Sequence, residues 1–144
     1  MKPRHWNPFW AAIFKLHAAL YRLSGGALGR RAFGLPVLVL GHTGAKSGKV
    51  RQTSLYYCDD GGNLAVIASK VGAPENPSWY TNLVANPNAK VQIGRQRRPV
   101  RARLADEAER ARIWQRMASI YPGYDAYQQR TERRIPVVML EPIR

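Results

Sequence analysis

Between Phe9 and Leu23 apolar residues recur at Phe9, Ile13, Leu16, Leu20 and Leu23, three and four positions apart, with Lys15 and Arg22 interrupting them. This period predicts a helix that begins near Pro8 and packs its apolar side on the rest of the domain. The run is too short and too interrupted for a membrane span, and no small-residue cleavage site follows it. From Leu35 the spacing changes. "LPVLVLG" (35–41) reads as a buried strand, "VRQTSLYYCDD" (50–60) alternates, and "GGNLAVIAS" (61–69) follows a turn at Asp60-Gly61-Gly62. Together these three predict an antiparallel meander.

"ENPSWYTNLVANP" (75–87) then predicts a short helix capped by Asn76, with Pro77 in its first turn and Pro87 beyond its end. Trp79, Leu83 and Val84 would form its apolar face. "AKVQIG" and "RPVRARLA" read as two strands around a turn from Gly94 to Arg98, with Val100, Ala102 and Leu104 facing inward. Asp106 and Glu109 have capping-box spacing at the start of a helix that would bury Ile113, Trp114, Met117 and Ile120. "YPGYDAYQQRTERR" (121–134) is a more polar helical segment, and "IPVVMLEPI" (135–143) closes as a strand. About six antiparallel strands, an N-terminal helix and two to three further helices, without βαβ alternation, predict an α+β barrel-like fold. The organisation expected is one domain: an amphipathic helix and loop over 1–34, then the barrel over 35–144.

Composition adds a partner class. The 144 residues include 23 Lys and Arg against 9 Asp and Glu, a formal charge of +14, and no acid precedes Asp59. One part of the molecule should therefore carry a positive field that attracts an anion. Cys58 is the only cysteine, which excludes an intrachain disulfide and a multi-cysteine zinc set. His5, His17 and His42 lack metal-site spacing, so no metal is expected. Nucleic acid is disfavoured as the anion, since the cations from Arg95 to Arg103 have no interleaved aromatics.

The cations concentrate in "GHTGAKSGKVRQ" (41–52), where Lys46, Lys49 and Arg51 accompany three glycines. A hairpin turn needs glycine for its backbone angles but not three cations. Glycines let backbone N–H groups approach a ligand and cations neutralise it, so the loop points to an anion site.

"HTGAKSGKVRQTSLYY", "ASKVGAPENPSWYTNLVANP", "YPGYDAYQQRTERRIPVV" and the closing "LEP" occur in an order that resembles the deazaflavin-dependent nitroreductase and F420H2-dependent quinone reductase family, from about Pro36 to Pro142. The resemblance implies an FMN-binding-like split β-barrel that uses coenzyme F420. It implies phosphate binding by Lys46, Ser47, Gly48, Lys49 and Arg51, although Ala45 stands where the family usually has arginine. It assigns Ala68, Ser69, Lys70, Val71, Gly72 and Ala73 to the side of the deazaflavin ring, with Asn76 and Trp79 beyond them. Tyr56, Ser69, Tyr121, Tyr124 and Tyr127 match the substrate pocket, with Tyr124 as hydrogen-bond or proton donor. At helical spacing the last three tyrosines would share one face.

The expected reaction is hydride transfer from reduced F420 to a quinone, nitroaromatic or activated alkene, because such chemistry resides in the cofactor. The alternative is a non-catalytic barrel that binds F420, another flavin or haem. A cytoplasmic enzyme is expected, with a peripheral contact at the inner membrane face through Trp6, Phe9, Trp10, Phe14 and neighbouring cations.

Overall fold

The computed structural model describes residues 8–24, 31–32 and 35–143, with side chains placed at 12–13, 15–24 and 35–143. The expected membrane contacts at Trp6, Phe9, Trp10 and Phe14 lie outside the described side chains. Helix α1 (Pro8–Ser24) precedes strands β1 (Arg31–Ala32), β2 (Leu35–Thr43), β3 (Val50–Tyr56), β4 (Cys58–Asp60) and β5 (Asn63–Ile67). Helix α2 (Ser78–Ala85) leads into β6 (Asn88–Ile93) and β7 (Gln96–Leu104). Helices α3 (Glu107–Ile120) and α4 (Gly123–Gln129) precede β8 (Val137–Pro142).

The strands are not a simple meander. The antiparallel order is β1-β2-β6-β7-β8-β5-β4, and β3 pairs with β2. Only Tyr57 separates β3 from β4, yet β3 pairs with β2 at one end of the sheet and β4 with β5 at the other. One bent run of chain therefore closes the sheet into a split barrel, and the Tyr57 N–H carries the ladder through the bend to the Pro36 carbonyl at 3.1 Å.

The strand sequences follow from burial on both faces. In β5 and β8, Leu64, Val66, Val138 and Leu140 point into the barrel beside Leu38, Leu40, Val91 and Val100. Ala65, Ile67, Val137 and Met139 point outward against Ile113, Met117 and Tyr124 of α3 and α4. Runs such as "VVML" are continuous because neither face meets water. Trp79 and Leu83 of α2 join the interior cluster.

Several sequence expectations shift by a residue or a face. Pro77, not Asn76, occupies the N-cap of α2, because the Asn76 side-chain oxygen accepts from Arg133 at 2.8 Å. Asn82 is buried on that helix while Val84 is exposed. Leu104 and Ile120 are exposed at the ends of their elements, and Trp114 is half-buried with its ring N–H donating to Asp125. The β6–β7 turn is shorter than expected, with Gly94 and Arg95 alone between the strands. The capping box of α3 forms as expected, with Glu109 N–H to Asp106 at 2.8 Å and Asp106 N–H to Glu109 at 2.9 Å.

The largest reversal is α1. Its predicted inner stripe faces water, with Leu16 60% and Leu23 80% exposed, and Ile13 and Leu20 exposed beside them. Ala18 and Tyr21 instead pack on Val37 and Val39 of β2. Small Ala18 permits close approach, His17 bonds to Ser54 at 2.7 Å, and the Tyr21 hydroxyl accepts from the Gly94 N–H at 2.8 Å. Specific polar bonds decide the face that hydrophobic spacing alone assigns the other way.

Tyr21→Phe leaves the buried Gly94 N–H without its acceptor and should cost about 1–3 kcal/mol. Urea denaturation checks this. A loss within error of zero would mean that α1 docking does not depend on this bond.

Candidate cofactor site

The β2–β3 connection is a tight turn with internal bonds from Gly44 N–H to Lys49 carbonyl at 2.8 Å and from Gly48 N–H to Gly44 carbonyl at 2.9 Å. Gly48 has φ of 67°, which glycine adopts without penalty. The Ser47 hydroxyl accepts from Lys49 N–H at 3.2 Å. The backbone N–H groups of Lys46 and Ser47 have no partner among the described residues. Lys46 and Lys49 lie on this turn and Arg51 just beyond it, all exposed, and none forms an ion pair among the described residues. Free amides and unneutralised cations at one turn have the donor chemistry to hold an anion.

A buried chain of polar groups holds this turn from inside. Ala45 N–H donates to the Asn82 side-chain oxygen at 2.9 Å, Asn82 Nδ2 lies 3.0 Å from His42 Nδ1, and His42 Nε2 lies 3.0 Å from the Thr53 hydroxyl. The backbone donor is unambiguous, so the Asn82 oxygen faces Ala45 and its amide nitrogen donates to His42. His42 must then accept at Nδ1, which makes it neutral with its proton on Nε2. Burial, and secondarily the Arg51 charge, hold its pKa down at about 4. Sequence reasoning missed Asn82 and His42. The available signal was an asparagine at buried helical spacing between Trp79 and Leu83.

The second candidate segment follows β5. Ser69 leads into a single 3-10 turn, Lys70–Gly72, in which Lys70, Val71 and Gly72 have φ of 44°, 51° and 80°. Such angles are uncommon for lysine and strained for β-branched valine. Lys70 pairs with Glu75 at 2.9 Å. The Arg133 guanidinium, also missed by sequence reasoning, donates to the Ala68, Ser69 and Ala73 carbonyls and to Asn76. Asn76 is thus occupied in holding the segment, and Trp79 lies 5% exposed in the barrel core against Tyr80.

The tyrosines meet, but not on one helix. Tyr121 ends α3, whereas Tyr124 and Tyr127 lie on α4 after the break at Pro122. Ring centroids are 5.5 Å apart for Tyr121 and Tyr124, 6.1 Å for Tyr124 and Tyr127, and 6.1 Å for Tyr56 and Tyr121. The Tyr121 and Tyr127 hydroxyls share a 2.9 Å hydrogen bond. Tyr124 is 4% exposed, and its hydroxyl makes no hydrogen bond among the described residues. Among the described residues no fully buried side-chain polar atom is left without a partner, so this hydroxyl reaches the surface. Burial pushes the Tyr56, Tyr124 and Tyr127 phenols above their ordinary pKa, keeping them protonated donors.

The two segments and the tyrosines are bridged rather than merged. Helix α2 follows the Ser69–Asn76 segment and reaches the cation turn through Asn82. Gly72 packs on Tyr127, where an added Cβ would lie 2.6 Å from the Tyr127 carbonyl oxygen. A separate cleft of about 660 Å³ lies between α3 and α4, lined by Arg110, Trp114, Gln128 and Arg134 among others. It contains none of the sequence-predicted site residues, and Arg134 there is already paired with Glu107.

The family model described as F420H(2)-dependent quinone reductase matches residues 13–142. An F420H(2)-dependent quinone reductase of Mycobacterium tuberculosis is 42% identical over 132 residues, covering 89% of each chain. A second protein of that organism, carrying the same family name, is 48% identical over 108 residues, covering 75% of this chain and 91% of its own. A solved F420-H2 dependent reductase has 42% identity and a TM-score of 0.67, covering 74% of this chain and 94% of the other.

His42 gives the cation turn a pH limit. Its pKa falls from 6.5 to about 4 on folding, so the unfolded chain binds the extra proton in that window. Its contribution is fully present above pH 6.5 and lost as pH falls towards 4, reaching about 3 kcal/mol. Denaturation at pH 7, 5.5 and 4.5 should show stability falling throughout. A flat profile would mean that His42 is not held neutral.

Proposed function

The chain belongs to the F420H(2)-dependent quinone reductase family, and we propose from this membership and from its anion cradle that it binds reduced F420 and delivers hydride to a quinone. The carrying observation is the turn with two free amides and three unpaired cations. Its charge and donor chemistry fit a phosphate, even with Ala45 supplying no cation. Nitroaromatics and activated alkenes are proposed as further acceptors, being electrophiles open to the same chemistry.

Reduced F420, when bound, supplies the hydride. Lys46, Lys49, Arg51 and the Lys46 and Ser47 amides would hold its phosphate, with Ser47 and Gly48 shaping the turn. Ala68 to Ala73 would form the wall beside its ring. Asn76 is better suited to supporting that wall, through its bond to Arg133, and Trp79 to supporting it from the core. Tyr56, Ser69, Tyr121 and Tyr127 would border the acceptor. Tyr124 would donate a hydrogen bond to the oxygen on which negative charge develops. Its raised pKa favours donation without loss of its proton, leaving water as the proton source.

Fluorescence titration with F420 tests the cradle, and menadione turnover tests the donor. Lys46→Ala with Arg51→Ala should weaken F420 affinity about tenfold or more. Tyr124→Phe should leave that affinity unchanged and lower kcat about tenfold or more. Binding without turnover would favour the binding-protein alternative, and no binding at tens of micromolar would retire the cofactor assignment.

A peripheral contact with an anionic bilayer is proposed beside this activity, since such a surface would give access to lipid quinones. No described helix is long and apolar enough to cross a membrane. The stripe Ile13, Leu16, Leu20 and Leu23 is exposed, with Lys15 and Arg22 on the same helix. The β6–β7 turn, with exposed Arg95 in it and exposed Arg97 and Arg98 at the start of β7, is tied to α1 through Tyr21. An apolar stripe beside cations suits an anionic interface. The protein should sediment with phosphatidylglycerol vesicles at low salt, and Leu16→Asp with Leu20→Asp should abolish this. Equal binding to phosphatidylcholine vesicles, or none to either, would count against the contact.

A further inference from the structure

We propose that Arg133 is a positioning residue that sets the shape of the Ala68–Ala73 segment and ties it to the tyrosine cluster. The inference rests on the reading of that segment as the wall beside the cofactor. Arg133 Nε donates to the Ala73 carbonyl at 2.9 Å and Nη2 to the Ser69 carbonyl at 2.7 Å. Its Nη1 donates to the Ala68 carbonyl at 3.2 Å and to Asn76 at 2.8 Å. Four acceptors from both ends of one short segment therefore converge on a single planar group.

That convergence has a purpose in the backbone between those ends. Lys70, Val71 and Gly72 are three successive residues at positive φ, and two of them bear side chains. Left-handed valine persists only where its surroundings over-determine it. The Gly72 N–H to Ser69 and Ala73 N–H to Lys70 bonds define the turn, but both lie within it. Arg133 supplies the external constraint, drawing together the carbonyls before and after the turn.

The clamp is itself fixed. Gln128 Nε2 donates to the Arg133 carbonyl at 2.8 Å, and its Oε1 accepts from Ile135 N–H at 2.9 Å. Gln128 lies next to Tyr127, on whose backbone Gly72 packs. Arg130 adds a weaker bond to the Val71 carbonyl at 3.4 Å. Cofactor wall and acceptor-side tyrosines are thereby positioned by one segment, 127–135.

Lysine cannot imitate this arrangement. Its compact ammonium has three donors, whereas four of arginine's five fixed donors are engaged here. No carboxylate bridges Arg133 among the described residues, so its acceptors are neutral oxygens held by geometry.

Arg133→Lys separates positioning from charge. In the cofactor-free protein, hydrogen exchange at the Gly72 and Ala73 amides should accelerate about tenfold or more, with barrel-strand amides unchanged. F420 affinity should weaken about tenfold, and kcat with menadione at saturating F420 should fall because the tyrosines shift with the wall. Faster exchange with F420 affinity and kcat both within twofold of wild type would reduce Arg133 to a structural residue and overturn the proposal. Unchanged exchange would overturn it as well. Failure of the wild type to bind F420 would instead sink the cofactor reading, while the exchange arm still decides whether the clamp exists. Should Arg133→Lys not fold, Asn76→Ala removes one acceptor and should move exchange and F420 affinity the same way, by about threefold. No movement in that variant would overturn the proposal.

Discussion

Closure of the barrel through Tyr57 is the constraint on which the other features depend. The run from Val50 to Asp60 pairs first with β2 and then with β5, so the two sheet ends are fixed by one bend. Both candidate segments hang from strands that this bend secures. The cation turn joins β2 to β3, and the Ala68–Ala73 segment leaves the end of β5. Helix α2 then connects the second segment to the first through Asn82. A change in the bend would therefore move both segments, although Tyr57 belongs to neither.

Charge is distributed with the same economy. Glu75, Glu107, Glu109, Glu141 and Asp60 are committed to ion pairs, while Asp106 caps α3, Asp59 accepts from Gly62, and Asp125 accepts from Trp114. Only Glu132 of the nine acids lacks such a role. Acids used in this way cannot neutralise Lys46, Lys49 and Arg51. The positive field of the cation turn is thus a consequence of where the acids are spent as much as of the number of cations. Exposed cations attract anions at long range and are screened by salt, whereas backbone amides act at short range and with fixed direction.

Patterns that repeat locally were legible in the sequence. Alternation and apolar runs revealed the strands, the Asp106–Glu109 spacing revealed a helix start, and the glycines of 41–48 revealed the turn between β2 and β3. Connections across the chain were not. Arg133 acts on carbonyls and an amide between 57 and 65 positions away, and carbonyl acceptors leave no trace in residue identity. The face of α1 was misread because its longest apolar stripe is not the one that docks. Tyr21 and Ala18 outweigh it through one buried hydrogen bond and one close approach. The tyrosine cluster was legible as a group but not as a geometry, since Pro122 divides it between two helices.

The protonation states of the site support a division of labour within it. His42 is neutral above about pH 4 and the phenols of Tyr56, Tyr124 and Tyr127 are held protonated, each because burial disfavours its charged form. These groups therefore keep one protonation state across neutral pH and act as fixed dipoles. A fixed donor needs no reorganisation when negative charge develops on an acceptor, which is the condition under which hydrogen bonds stabilise a transition state best. Charge lies instead on the exposed cation turn, on the Lys70–Glu75 pair, and on Arg130 and Arg133, which bond to the carbonyls of the Ala68–Ala73 segment. The cations of the turn thus remain in water, while the polar groups of the interior are neutral and fixed in position.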